Sequence, residues 1–269
     1  LGRRGVDVVA EALDVADEPS LRALLERLRQ GGPPLRGVVH AAGALDDAAL
    51  PQQDAARFAR VFGPKVEGTA LLDALTRVDP LDWFVLFSSA AAILGSRGQA
   101  NHSAASAFQG GVAQERRALG LPGLAIDWGA WTEVGAAADP AITERLAAQG
   151  IGALSPEQGL RAFERVLADD AAQVAVLPID WRRYLEVLGR APSFLSEVRS
   201  GAAEEPERAP RPREARPRAV DLKEQLAGAP KGRWRPMVTA FVRERALATL
   251  GVDPRRAVDP RTPLGELGL

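Results

Sequence analysis

The sequence contains no cysteine, one methionine, one tyrosine and two histidines in 269 residues. Without cysteine there is no disulfide framework, no thiolate zinc site and no cysteine nucleophile. His40 and His102 are too few for a histidine cluster, so no metal is expected. Neither sign of charge dominates. The 34 basic and 35 acidic residues give a formal net charge of −1, which argues against a nucleic-acid partner. The longest strongly apolar run, Trp83 to Leu94, has 12 residues and includes Ser88 and Ser89. A spanning helix needs about 20, so no membrane partner is expected. Residues 1–4 (LGRR) lack the apolar stretch of a signal peptide, and a cytoplasmic location follows as the expectation. The hydrophobic share of 46% and charged share of 26% are those of an ordinary folded protein. The length corresponds to about one or two domains. Because the chain starts at Leu1 and stops within the apolar pattern PLGELGL, it reads as a piece of a longer protein.

Strand-like and helix-like stretches alternate. VDVVAEAL (6–13), LRGVVHAAG (35–43), WFVLFSS (83–89), GLAIDWG (123–129) and QVAVLPI (173–179) are apolar stretches that read as strands. Between them, Leu21, Leu24, Leu25 and Leu28 have helical spacing, and residues 52–77 are helical with a break at Gly63-Pro64. Residues 101–119 form an alanine-rich helix. Ser155 and Gln158 form a capping box at the start of the helix over 155–169. Continuous apolar strands alternating with helices indicate the α/β class: a doubly wound, Rossmann-like parallel sheet covered on both faces. Ligands of such sheets bind beyond the carboxyl ends of the strands. Asp14, residues 41–43, Ser89 and residues 128–129 therefore come into view. Residues 200–220 hold four prolines, five arginines and four glutamates, a composition that predicts a solvated linker. Helical spacing resumes from Trp234. The expected domains are 1–198, a linker over 199–233, and an incomplete helical domain over 234–269.

Lys65, Lys223 and Lys231 are the only lysines among 34 basic residues. Where arginine serves for ordinary surface charge, a lysine at a helix restart (FGPKVEG) invites a specific role, although a solvated lysine fits equally well. Ser89 closes a strand, and His102 lies on the next helix. Taken alone, they read as a turn residue and an ordinary helix histidine. A serine hydrolase is excluded by the lack of a G-x-S-x-G elbow.

Taken together, GVVHAAGALDD, FGPKVEG, WFVLFSSAAAILGSRGQANHSAASAF and LPGLAIDWGAW resemble, in order and spacing, the ketoreductase domain of modular type I polyketide synthases. That family is a branch of the short-chain dehydrogenase/reductase fold, and the resemblance runs over about residues 1–198. VDPRTPLGELGL resembles the opening of an acyl carrier domain, whose phosphopantetheine serine would lie beyond residue 269. The resemblance implies NADPH-dependent reduction of a β-ketoacyl thioester. Its implied partners are the carrier domain, neighbouring synthase domains and the polyketide thioester. It also implies four catalytic positions: Lys65, Ser89, His102 in place of the family's tyrosine, and Ser106 in place of its asparagine. Asp14 and Val15 match the adenine loop. Ala41, Ala42 and Gly43 match the ribose turn, and Trp128 and Gly129 the nicotinamide end. Leu45-Asp46-Asp47 matches the signature of the B-type, D-alcohol subtype, and Leu94 is not the tryptophan of the opposite one.

Two of the four catalytic roles are changed. Imidazole is shorter than phenol and, when neutral, donates from one nitrogen only. Two outcomes stay open: a histidine variant of the reductase, or a silent pseudo-ketoreductase kept as a scaffold. No G-x-G-x-x-G phosphate loop occurs in the chain, so these 269 residues by themselves are expected to bind NADPH poorly.

Overall fold

The computed structural model describes residues 5–135, 140–189, 192–198 and 229–250, with Leu222 and Leu226. Most of the Pro/Arg/Glu-rich stretch, and the VDPRTPLGELGL motif, lie outside the described residues. The chain divides into two compact units, residues 1–136 with 154–177, and residues 137–153 with 178–269.

The first unit is built on a four-stranded parallel sheet. Its strands are β1 (Gly37–His40), β2 (Trp83–Ser89), β3 (Leu124–Trp128) and β6 (Gln173–Val176), in the order β1-β2-β3-β6. Two-residue strands β4 (Ala130–Trp131) and β5 (Ala153–Leu154) intervene in the chain. The helices of this unit are α1 (Glu18–Gly31), α2 (Ala55–Phe62), α3 (Gly68–Thr76), α4 (Ala91–Leu94), α5 (Ala100–Ala118) and α7 (Pro156–Leu167). Alternate residues of β2 point to opposite faces, and both faces are covered. Phe84 and Leu86 pack with Leu21 and Leu25 of α1, Leu72 of α3 and Val112 of α5. Val85 packs on the other face with Leu124, Ile126, Trp128 and Val166. This explains why the strand reads as an unbroken apolar run. Ser89 pairs with Trp128, and Trp128 with Val176, so three strands end level with one another. The α/β parallel sheet expected from the sequence is what forms.

Two local expectations fail. VDVV (6–9) forms no strand, and Val6, Val8 and Val9 are 47%, 59% and 82% exposed. β-branched residues favour extended backbone, but a strand exists only where a neighbour completes its hydrogen-bond ladder. The second failure is at Gly63-Pro64, where the helix does not break. Residues Gly63–Glu67 form a π-helical turn that joins α2 to α3, with the Gly68 N–H donating to the Gly63 carbonyl. Pro64 has no N–H for the ordinary ladder, and the wider turn absorbs the defect. By contrast, the capping box at Ser155 forms as the sequence predicts: the Gln158 N–H donates to Ser155 Oγ at 3.2 Å, and the Ser155 N–H to Gln158 Oε1 at 2.9 Å.

In the second unit lie α6 (Pro140–Ala148), α8 (Trp181–Leu188) and α9 (Trp234–Leu250). The single tyrosine, Tyr184, is buried there edge-on to Trp181. Among the described residues no helix is long and apolar enough to cross a membrane.

Candidate active site

Lys65 sits on the π-helical turn and is 4% exposed. The reading of it as a solvated helix-start lysine is therefore wrong. Its ammonium donates to the Phe87 carbonyl of β2 at 3.1 Å and to Gln109 Oε1 of α5 at 2.8 Å. His40, at the end of β1, donates from Nε2 to the Pro64 carbonyl of this turn at 3.0 Å. Burial lowers the proton affinity of His40, and the Lys65 charge lowers it further, against the pull of that bond. A neutral ring with its proton on Nε2 is what the contact requires. Burial also lowers the Lys65 pKa to about 8, against the opposing pull of Asp127.

Ser89 closes β2 and is half-buried. Its Oγ accepts from the Ala91 N–H at 3.2 Å, which leaves the hydroxyl proton as a donor toward a carbonyl oxygen. His102 stands in the first turn of α5. Its Nδ1 is buried without a hydrogen-bond partner, and burial, then the Lys65 charge, lowers its pKa to about 4. Ser106, one turn further, is fully buried with Oγ unpartnered. Its backbone carbonyl accepts from Ser88 Oγ at 3.0 Å. Lys65 thus lies between β2 and α5, the two elements that carry the other three positions, and its charge acts on His102.

The remaining positions divide into pocket edge and packing. Gly43, after β1, lies against the lysine stem: a Cβ there would come to 3.4 Å from Lys65 Cε. Ala41 and Ala42 are exposed beside it. Asp14 accepts from the Ala16 N–H at 2.9 Å and is exposed, while Val15 packs against Gly68, where a Cβ would meet it at 2.6 Å. The Trp128 indole is committed to packing, with ring centroids 5.5 Å from Phe87 and 5.1 Å from Trp131. The Gly129 N–H donates to Val176 at 2.9 Å. Leu94 ends α4 half-buried. Asp46 is held by ion pairs with Arg57 and Arg60 of α2, and the Asn101 amide donates to its carbonyl at 2.9 Å. Gln99 donates to Asp47 Oδ2 at 2.9 Å. Leu45 is left 42% exposed. The two aspartates fasten the 45–47 loop to α2 and to the start of α5, and Leu45 and Asp47 are exposed.

Sequence reasoning missed three residues. Gln109 is fully buried on Lys65. His40 holds the turn that carries the lysine. Asp127, fully buried on β3, accepts from Gln173 Nε2 at 2.7 Å, and burial holds its carboxyl above the usual range despite that bond and the nearby Lys65. The signal for Gln109 was its place seven residues after His102 and three after Ser106, on the same helix face. For Asp127 it was a carboxylate inside an otherwise apolar strand.

The neutral state of His102 has a measurable consequence. The unfolded chain takes up a proton at its ordinary pKa of 6.5, whereas the folded chain refuses it until about pH 4. Between these values the unfolded state binds more protons, so His102 costs stability as pH falls through that window. The shift amounts to about 3 kcal/mol. Urea unfolding of the wild type and His102→Gln at pH 7 and pH 4 should show the variant gaining about that much relative to the wild type at the lower pH. His40 and Asp127 act equally in both chains. A difference that does not change with pH contradicts the buried neutral imidazole.

Comparison with known proteins bears on what this cluster is. The family model described as the KR domain matches residues 1–133. The spectinabilin polyketide synthase system protein NorB of Streptomyces orinoci is 40% identical over 266 residues, which cover 98% of this chain and 12% of NorB. Polyketide synthase GfsB of Streptomyces halstedii is 35% identical over 269 residues, 98% of this chain and 5% of GfsB. The chain therefore spans a small part of these relatives. A solved structure of A-type ketoreductases from a modular polyketide synthase superposes with a TM-score of 0.71 at 36% identity, covering 75% of this chain and 43% of that one. The parallel sheet, the motifs gathered at its strand ends and these matches agree: the chain belongs to the ketoreductase domains of modular polyketide synthases.

Proposed function

We propose that the chain is the ketoreductase part of a polyketide synthase module, built to reduce a β-ketoacyl thioester with NADPH, and that its own reduction step is impaired. The observation that carries this reading is the buried, unpartnered Nδ1 of His102 at the position of the family's proton donor. With a pKa of about 4, about one imidazole in 10³ is protonated at pH 7. A neutral ring gives up a second proton far less readily than a phenol. Loss of a general acid costs about 10²–10⁴ in rate.

NADPH supplies the hydride when bound. The open turn at Gly43 beside the Lys65 stem fits the ribose–nicotinamide end. The pyrophosphate would need backbone donors of a glycine-rich loop, and no G-x-G-x-x-G motif occurs in this chain. Ser89 orients the substrate carbonyl through its hydroxyl proton, and Lys65 contributes positive charge where the alkoxide develops. What is lacking is a group to protonate that oxygen.

The Leu45-Asp46-Asp47 loop supports the B-type, D-alcohol reading. The match to A-type structures reflects the shared domain, and the subtype rests on that loop. Helix α9 and the motif that follows are the start of the acyl carrier domain, whose phosphopantetheine arm would deliver the substrate, and the synthase works in the cytoplasm. The test uses the complete module with NADPH and a β-ketoacyl thioester. The expected result is an unreduced β-keto product and no cofactor oxidation above background. Steady cofactor oxidation with formation of the β-hydroxy thioester refutes the impaired reading, and the configuration of that alcohol then tests the subtype.

A further inference from the structure

None of the four family positions is the side chain that holds the lysine. Gln109 is. A buried carboxamide is costly unless both of its ends are bonded, and both ends of Gln109 are. Its Oε1 accepts from the Lys65 ammonium at 2.8 Å, and its Nε2 donates to Thr69 Oγ1 at 3.2 Å. Thr69 is fully buried and lies four residues after Lys65, one turn on along the same helical stretch. Gln109 therefore grips two consecutive turns of that stretch from α5. The Phe87 carbonyl provides the second acceptor, from the sheet. Ser106 does not compete for the ammonium, because its Oγ has no partner. The step from 106 to 109 moves the anchor about 4.5 Å along α5 at 1.5 Å per residue.

We infer that Gln109 is the positioning residue for Lys65: its carboxamide, one turn beyond the position that carries asparagine in the family, supplies the acceptor that the buried ammonium needs and clamps it between β2 and α5. The inference rests on the ketoreductase reading only in making Lys65 a site residue. The clamp also opposes reversion of Ser106, since an asparagine introduced there meets an ammonium that is already engaged.

With only three lysines in the chain, lysine-selective isotope labelling of the full 269-residue chain gives few resonances. The titration of Lys65 can then be followed directly by NMR. Removing a neutral acceptor from a buried cation disfavours the charged form, and replacing it with a carboxylate favours that form. Gln109→Leu should lower the Lys65 midpoint by about one unit or more, and Gln109→Glu should raise it by a similar amount. A residue that only fills space would shift the melting temperature without moving the midpoint in opposite directions. If neither variant moves it, the inference is wrong. If the leucine variant fails to fold, the glutamate variant decides alone: a raised midpoint supports the clamp and an unmoved one overturns it. No turnover is needed for this readout. A fully active wild-type module would refute the impaired reading and leave the clamp standing.

Discussion

Replacing His102 by tyrosine together with Ser106 by asparagine should raise NADPH-dependent reduction by the module about 10²–10⁴-fold, the range that a positioned general acid contributes. The rest of the site is in place for this gain. Lys65 is buried and held, Ser89 closes its strand, and the turn at Gly43 is open. On the reading proposed above, what this site needs is a proton donor loaded at neutral pH, and burial and the Lys65 charge keep the His102 imidazole neutral. A phenol carries its proton at pH 7 without having to hold a positive charge in that setting. The larger asparagine enters a position that is fully buried, next to a lysine that Gln109 already holds. His102→Tyr alone should therefore recover part of the rate, and adding Gln109→Leu to the double variant should recover more. Loss of NADPH absorbance and mass detection of the β-hydroxy thioester measure the outcome. Ser89→Ala in the restored background should abolish the gain. If the wild-type module turns over as fast as the double variant, histidine is a competent donor here and the argument from its protonation state fails.

Asp73→Ala should destabilise the domain by about 3–5 kcal/mol, the cost of stranding a buried charge. Its partner, Arg116, is 1% exposed near the end of α5. That guanidinium donates to Asp73 Oδ1 of α3 at 2.7 Å and to the Pro122 carbonyl at 2.7 Å, and it lies 3.9 Å from the centre of the Phe84 ring. Asp73 is the only carboxylate in that set. Without it a cation is left facing an aromatic ring and one carbonyl. Arg77, on the solvent side of Asp73, is half-exposed and can rehydrate, so it adds little to the loss. Changing both partners, Asp73→Leu with Arg116→Met, should recover most of the stability, since an apolar pair of similar volume avoids the desolvation cost. Chemical denaturation of the two single variants and the double variant gives the coupling. A loss below about 1 kcal/mol for Asp73→Ala places the pair among solvated ion pairs. The lock matters to the site because α5 carries His102, Ser106 and Gln109, and this pair ties the far end of that helix to α3.

Much of this was legible in one dimension. The unbroken apolar runs at 83–89 and 123–129 specify strands covered on both faces, and the Ser155–Gln158 spacing specifies a helix start, because both are local patterns of polarity and hydrogen bonding. The motif order also located Lys65, Ser89, His102 and Ser106. VDVV was misread because a strand is completed by its neighbour, and no local pattern records whether a neighbour is present. At Gly63-Pro64 the reading was half right: proline does disturb the helix, but only the packing of α2 and α3 decides that the turn widens rather than ends.

The sequence by itself determined the α/β class and the family. Through that resemblance it pointed to Lys65, Ser89, His102 and Ser106 as the expected catalytic positions, with histidine and serine where the family has tyrosine and asparagine. Which acceptor holds the lysine, which ring nitrogen of His40 carries its proton, and whether His102 can be charged were decided only by the tertiary structure. Each depends on solvent exclusion and on partners 22 to 44 residues away in the chain. Dielectric environment and hydrogen-bond distance are properties of the folded neighbourhood, and a linear pattern of residue types does not contain them.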